Sequence, residues 1–258
     1  MFNCQSANLT MLKQLADRRA PSILIAGPSG SGKSWMAREY ARYLSIEDFV
    51  LVDPTVSSIR EIADVCADKH TPMVVCVENL DLGVVAASYT LLKFLEEPQP
   101  DIHIVVTVRN INHIPTTIPS RCVTVWAAAP LPSDLIQYGE ARNFAKFNQL
   151  KDTIMFKACL GFNDVDALLD MDTTKLAYYS QLPDILQSKD SVSGLVWKLT
   201  HYADNSALDP LFALQCITSA FQGRIAKYGR RCVGDIQSGR VAAHTAITKF
   251  IFDCRYGQ

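Results

Sequence analysis

Residues Gly27-Pro28-Ser29-Gly30-Ser31-Gly32-Lys33-Ser34 fit the pattern G-x-x-x-x-G-K-[ST] without a substitution, and no other stretch narrows the choice of fold as far. Upstream, Ser22-Ile23-Leu24-Ile25-Ala26 is short, apolar and β-branched, as a buried strand is. Downstream, Trp35 to Leu44 reads as a helix. A strand, a glycine-rich loop and a helix in that order make a cradle for a triphosphate. Glycines let successive backbone N–H groups turn inward on phosphate oxygens, Lys33 adds a point charge, and Ser34 offers a hydroxyl to Mg²⁺. The start of the helix adds its partial positive charge. An ordinary turn would account for the glycines but not for Lys33 and Ser34 together. ATP and Mg²⁺ are therefore the expected cofactors, with Gly27, Pro28, Ser29, Gly30, Ser31, Gly32, Lys33 and Ser34 as the binding loop.

Further strands are predicted at Phe49 to Asp53, Met73 to Val77, Ile102 to Val108 and Val123 to Trp126. Helical patterns lie between them. One is capped by Ser57-Ser58 and turns Ile59, Ile62, Ala63 and Cys66 inward; another, Ala86 to Glu97, turns Leu91, Leu92 and Leu95 inward, with Pro98 beyond its end. An earlier helix, Leu9 to Arg19, is stopped by Pro21. This alternation predicts an α/β layer on a parallel sheet of five strands. In such sheets the carboxylate that helps hold Mg²⁺ stands at the end of an apolar strand, and Glu78 occupies that place, followed by Asn79, Leu80 and Asp81. The alternative is an acidic residue that marks where a buried strand reaches solvent.

Ala127 to Pro132 reads as a hinge, and the chain beyond it as helical throughout. The expected helices are Asp134 to Phe147, Lys151 to Leu160, Val165 to Leu169, Leu176 to Gln187, Ser193 to His201, Pro210 to Tyr228 and Arg240 to Cys254. Loops at Gly161 to Asn163, Ser188 to Ser191 and Asn205-Ser206 divide them.

A formal net charge of -1 over 258 residues excludes a wholly basic nucleic-acid coat, so any DNA contact needs a local patch. The one basic cluster, Arg224, Lys227, Arg230, Arg231 and Arg240, is either such a patch or a solvated helical face. The eight cysteines are scattered without a C-x-x-C pair, which predicts reduced core thiols of a cytosolic protein and not a zinc site. Met1 to Leu12 lacks a secretory pattern, and no apolar run approaches a membrane span, so a soluble intracellular protein without a membrane partner is expected.

Leu91-Leu92-Lys93-Phe94-Leu95-Glu96-Glu97-Pro98, followed by Ser120-Arg121-Cys122, resembles two motifs of the clamp-loader branch of the AAA+ ATPases, the bacterial DNA polymerase III gamma/tau and delta-prime subunits and their relatives. Ser58-Ile59-Arg60-Glu61-Ile62 is similar to a third, and together these cover roughly residues 22 to 126. The resemblance implies an AAA+ P-loop domain over residues 1–127, an all-helical lid over 128–187 and a C-terminal helical collar for oligomerisation over 188–258. The metal-binding cysteine insert of the bacterial subunits is absent, which suggests a compact, viral version at work in the bacterial cytosol of a phage-infected cell. It also implies that Arg121 acts in trans as an arginine finger on a neighbour's ATP, a contribution of about 10³ to 10⁵ in rate.

Departures from the pattern concern hydrolysis. Asn79 stands where active subunits carry the catalytic Glu, and an Asn cannot take a proton from the attacking water; losing a general base costs about 10² to 10⁴ in rate. Arg109, beside Asn110, stands at the first-sensor position. The segment Gly161-Phe162-Asn163-Asp164-Val165-Asp166-Ala167 resembles the second-sensor motif but lacks its arginine. Two accounts stay open: a subunit that binds ATP well, hydrolyses it poorly and lends Arg121 to a neighbour, or one in which Glu78 is itself the base.

The expected function is an ATP-binding clamp-loader subunit, an ATPase that depends on partner subunits and loads a sliding clamp on primer-template DNA without sequence preference. The turn Leu82 to Val85 is a candidate clamp-docking patch, with core packing as its alternative. Rival readings are an AAA+ helicase loader or replication initiator, a nucleotide-regulated structural subunit without turnover, and a small-molecule phosphotransferase.

Overall fold

The computed structural model describes residues 5–68, 71–97, 99–202, 206–237 and 240–256. Pro98 and Asn205, named above, lie outside them, as does Cys4, one of the eight cysteines. The chain forms two compact units, Met1–Asp134 and Leu135–Gln258.

The first unit is built on five strands, β1 (Ser22–Ala26), β2 (Phe49–Val52), β3 (Met73–Val77), β4 (Ile102–Val108) and β5 (Val123–Trp126). All pairs are parallel, in the order β2-β3-β4-β1-β5. Because side chains alternate across a strand, β1 presents Leu24 and Ala26 to one face and Ile23 and Ile25 to the other. The first face is covered by α3 (Val56–Asp68), through Ile59, Ile62 and Cys66, and by α4 (Val85–Glu96), through Leu91, Phe94 and Leu95. The second is covered by α1 (Ser6–Asp17), through Leu9, Leu12 and Leu15, and α2 (Lys33–Tyr43), through Met36, Ala37 and Tyr40. Burial on both faces is why the central strands read as unbroken apolar runs. The cap of α3 differs from expectation: Thr55 Oγ1, not Ser57 or Ser58, accepts the Ser58 N–H at 3.1 Å.

The strand β1 lies between β4 and β5, while the chain leaving it crosses to β2 at the far edge. This is a topological switch point, and the crevice beyond the carboxyl ends of the strands there is where open α/β sheets bind ligands.

The second unit is mostly helical. It takes in α6 (Ile154–Ala158), α7 (Phe162–Asp170), α8 (Thr173–Gln187), α9 (Val192–Thr200), α10 (Pro210–Ala220), α11 (Gly223–Gln237) and α12 (Ala243–Tyr256). The helix α5 (Pro132–Leu150) leads into it and is interrupted at Asn143, with φ -158° and ψ 89°. The Asn143 side chain accepts the Lys146 N–H at 3.1 Å and restarts the helix.

Two expectations are corrected here. The chain beyond the hinge is not helical throughout: His201–Tyr202 (β6) and Ser206–Ala207 (β7) pair antiparallel. Nor is Pro210 to Tyr228 one helix. It ends at Ala220, and a left-handed Gly223, φ 66°, opens α11. The two helices meet where Gly229 faces Thr218; a Cβ on Gly229 would come within 2.2 Å of Thr218 Oγ1.

Candidate nucleotide-binding site

The loop after β1 owes its path to three glycines. Gly30 and Gly32 hold φ 70° and 84°, the left-handed region where a Cβ is strained, and Gly32 sits directly before α2. Gly27 lies against the exit of β5, where a Cβ would come within 2.3 Å of the Ala127 carbonyl oxygen. Its N–H donates to Val108 O at 3.1 Å and so seats the loop on β4.

Lys33 is buried, 6% exposed, and its ammonium donates to the carbonyls of Gly27 at 2.9 Å and Pro28 at 2.8 Å. Burial pulls its pKa down to about 8; Asp81 and Glu78 pull the other way, and Arg109 adds to the fall. The hydroxyl of Ser34 donates to Glu78 Oε1 in a short hydrogen bond. Glu78 is fixed by its own N–H, which donates to Val52 O at 3.0 Å. Asn79 follows in a left-handed conformation, φ 48°, with its N–H on Thr107 Oγ1 at 2.9 Å.

Asp81 is nearly inaccessible, its side chain 1% exposed, and its carboxylate accepts the backbone N–H groups of Arg109 at 2.9 Å and Asn110 at 3.3 Å. It thereby ties the end of β3 to the end of β4. The Arg109 guanidinium stands 3.5 Å from the same carboxylate, an ion pair without hydrogen-bond geometry, so its buried Nε has no hydrogen-bond partner. Lys33, Ser34, Glu78, Asp81 and Arg109 thus gather at the carboxyl end of the sheet, two cations and two carboxylates around one phosphate-sized loop.

These residues fit a Mg²⁺-bound triphosphate. Left-handed glycines open the loop's N–H groups, α2 begins on Lys33, and the hydroxyl and carboxylate on which a metal would sit are already in register.

Gln5 is a further contributor, without a motif to announce it. It is fully buried, and its amide donates to Ser31 O at 3.0 Å and Ala128 O at 2.9 Å. Asn8 donates to Gln5 Oε1 at 2.7 Å and to Trp126 O at 2.8 Å. Together they fasten α1, the loop and the exit of β5.

Arg121 lies elsewhere. The register pairs Ile23 with Val123 and Ala26 with Trp126, so Arg121, before β5, sits at the amino end of the sheet. Roughly 15 Å of strand separates that rim from the loop after β1. Its guanidinium is about a third exposed, donating to Glu96 Oε1 at 2.6 Å and to Thr117 O at 3.0 Å.

The Leu82 to Val85 turn is not packed in the core: Leu82, Val84 and Val85 are 57%, 64% and 61% exposed. In the second unit, the carboxylate of Asp164, where the resemblance would place an arginine-bearing motif, accepts the N–H groups of Leu160 at 2.7 Å and Gly161 at 3.1 Å and caps α7. Asp166 receives Tyr138 Oη at 2.7 Å and Arg142 Nε at 2.9 Å.

Among the described residues no cluster of His, Cys, Asp and Glu has the arrangement of a metal site, and no helix is long and apolar enough to cross a membrane. Cys66, Cys76, Cys159, Cys216 and Cys232 are buried, and burial raises the pKa of Cys122 to about 12. Burial raises the thiols of Cys76, Cys159, Cys216 and Cys232 as well, so these and Cys122 stay protonated.

A crystal structure of a DNA polymerase III gamma subunit-related protein from Thermotoga maritima superposes with TM-score 0.57 at 17% identity, covering 94% of this chain and 97% of that one. The fold is that of an AAA+ protein. The Thermotoga maritima RuvB Holliday junction branch migration motor matches the same AAA+ architecture with TM-score 0.51 at 12% identity, over 95% of this chain and 85% of that one. A point mutant of the same motor gives TM-score 0.51 at 12% identity, over 96% and 86%. Residues 56–129 match the model of the DNA polymerase III delta subunit family. That stretch runs from α3 through β5 and contains the motifs on which the resemblance to clamp-loader subunits rests, so over those residues the chain is similar to that family. No curated protein matches it.

Proposed function

We propose that this AAA+ chain is a nucleotide-binding subunit of a clamp loader. ATP with Mg²⁺ is held by Gly27 to Ser34, with Ser34 and Glu78 on the metal, and Arg121 reaches the ATP of an adjacent subunit. The chain divides, in this reading, into an AAA+ domain over 1–127, a lid over 128–187 and an oligomerising collar over 188–258. Its partners are other clamp-loader subunits, a sliding clamp that docks on the exposed Leu82 to Val85 turn, and primer-template DNA gripped through its phosphates.

One observation carries this reading. The phosphate-loop residues and Arg121 stand at opposite ends of one parallel sheet, so the finger cannot serve its own loop. An arginine aimed away from its own site is accounted for by a neighbour that needs it.

The bound triphosphate supplies the γ-phosphoryl group whose hydrolysis releases the assembly. The chain's residues do the rest: Lys33 and the loop amides bind and orient, Ser34 and Glu78 hold the metal, and Arg109 is poised to read the γ-phosphate. Glu78 already engages the Ser34 hydroxyl, which supports a metal-holding role for it and leaves the base position to Asn79. Weak hydrolysis by the subunit itself follows, and a stator-like contribution through Arg121 is the second reading that Asn79 favours.

The test is turnover in the assembled complex with clamp and primed DNA. Arg121→Ala is expected to retain ATP binding and lose DNA-stimulated hydrolysis by about 10³-fold or more; unchanged turnover would falsify the exchange between subunits. Asn79→Glu is expected to raise hydrolysis, and no gain would count against the impaired-base account.

A further inference from the structure

The second unit contains a cavity of about 420 Å³ between α6, α10 and α11, independent of the nucleotide site. Its size falls in the range of ligand pockets, roughly 300–1,000 Å³. The close approach of α10 and α11 at Gly229 shapes one side. At Gly234, on the same helix, nothing lies within 4 Å of where a Cβ would stand, and the space is left open.

The walls are largely apolar, from Ala158, Leu160 and Val233. Two hydroxyls that line it are already satisfied: Thr218 donates to Leu214 O at 2.6 Å, and Ser219 to Cys216 O at 2.8 Å. Gln215 also lines it: the residue is only 6% exposed overall, yet its amide is not among the buried polar atoms that lack a partner, so it opens onto the cavity as an accessible donor and acceptor. The remaining polar groups include Lys157 and Arg230, both exposed; among the described residues neither is in an ion pair and no carboxylate lines the cavity.

The geometry points to a binding site for an apolar group that carries a carboxylate. The apolar body lies against Ala158 and Val233, and the oxygens meet Arg230, Lys157 and the Gln215 amide. Arginine suits a carboxylate because its planar fork donates two parallel hydrogen bonds. A free aliphatic acid and the C-terminal end of a peptide share this chemistry, and the experiment separates them.

The intact chain, isotopically labelled, is titrated with decanoate and with N-acetyl-Leu-Phe-Leu as free acid and as C-terminal amide, and followed by amide NMR. Saturable shifts at Lys157, Gln215, Arg230 and Gly234 are expected with at least one acid. Decanoate alone would assign the site to small acids, the peptide acid alone to a chain terminus. Replacing the bound acid by its neutral amide, or substituting Arg230→Gln, is expected to weaken binding at least about tenfold. Gln215→Leu is expected to weaken it too while leaving thermal unfolding unchanged. Absence of saturable shifts with either acid, equal binding of acid and amide, or affinity unchanged in both Arg230→Gln and Arg230→Glu overturns the assignment.

Discussion

Lys33 is held in conflict in the free protein. Its ammonium is buried and its pKa drawn down to about 8, whereas in the unfolded chain it keeps the ordinary value of 10.5. Between those values the unfolded chain binds the proton more tightly, so stability rises with pH across roughly pH 8 to 10.5 and the penalty is fully present below pH 8. Lys33→Met is therefore expected to raise the stability of the nucleotide-free protein at pH 7 by up to about 3 kcal/mol, the hydrogen bonds to Gly27 and Pro28 reducing the gain. Urea unfolding of both forms should show the difference closing as pH rises, while nucleotide binding is lost in the variant. Anionic phosphates relieve the same conflict, so binding at pH 8 should take up protons, measurable by calorimetry in buffers of different ionisation enthalpy. Gln5→Ala, which strips two hydrogen bonds from the carbonyls of Ser31 and Ala128, is expected to cost about 1–3 kcal/mol and to weaken nucleotide affinity.

Close helix contacts at glycine make separate demands. In α5, a Cβ on Gly139 would come within 2.3 Å of the Phe147 ring, because the break at Asn143 folds the helix's second part back on its first. Gly139→Ala and Gly229→Ala are each expected to destabilise the second unit by about 1–3 kcal/mol, read as a lowered unfolding temperature. The Asp164 cap of α7 is worth about 1 kcal/mol against Ala by the same measurement. These contacts also mark where sequence reading ran out. The four strands β1, β3, β4 and β5 were legible to their end residues because apolar runs bounded by turns leave few registers, and the loop because its chemistry admits few substitutions. The turn into α11 was hidden because Gly223 and Gly229 act through a backbone conformation and an interhelical approach, neither of which has a periodicity. Gln5 and Asp81 were missed for the same reason. Their partners are main-chain atoms distant in sequence, and no spacing encodes them.

The chain's division into two compact units has a thermodynamic signature. A ligand that binds only the folded form of one unit stabilises it by about 2.7 kcal/mol at a hundredfold excess over Kd. Scanning calorimetry with a non-hydrolysable ATP analogue and Mg²⁺ should therefore raise a transition assigned to residues 1–134 more than one assigned to 135–258, and an equal rise in both would mean that the units unfold as one. Lys33 stands at the carboxyl rim of the sheet and Arg121 at the amino rim, so if Arg121 serves a neighbour as proposed, each copy has a socket and a plug on opposite sides. Under the proposed exchange between subunits such a piece would have direction: rows of it would grow with every member facing the same way, and a blocked socket would leave the plug serviceable. Chains crippled at Lys33 and chains crippled at Arg121, inert apart, should recover turnover when assembled together, because some junctions then join an intact socket to an intact plug.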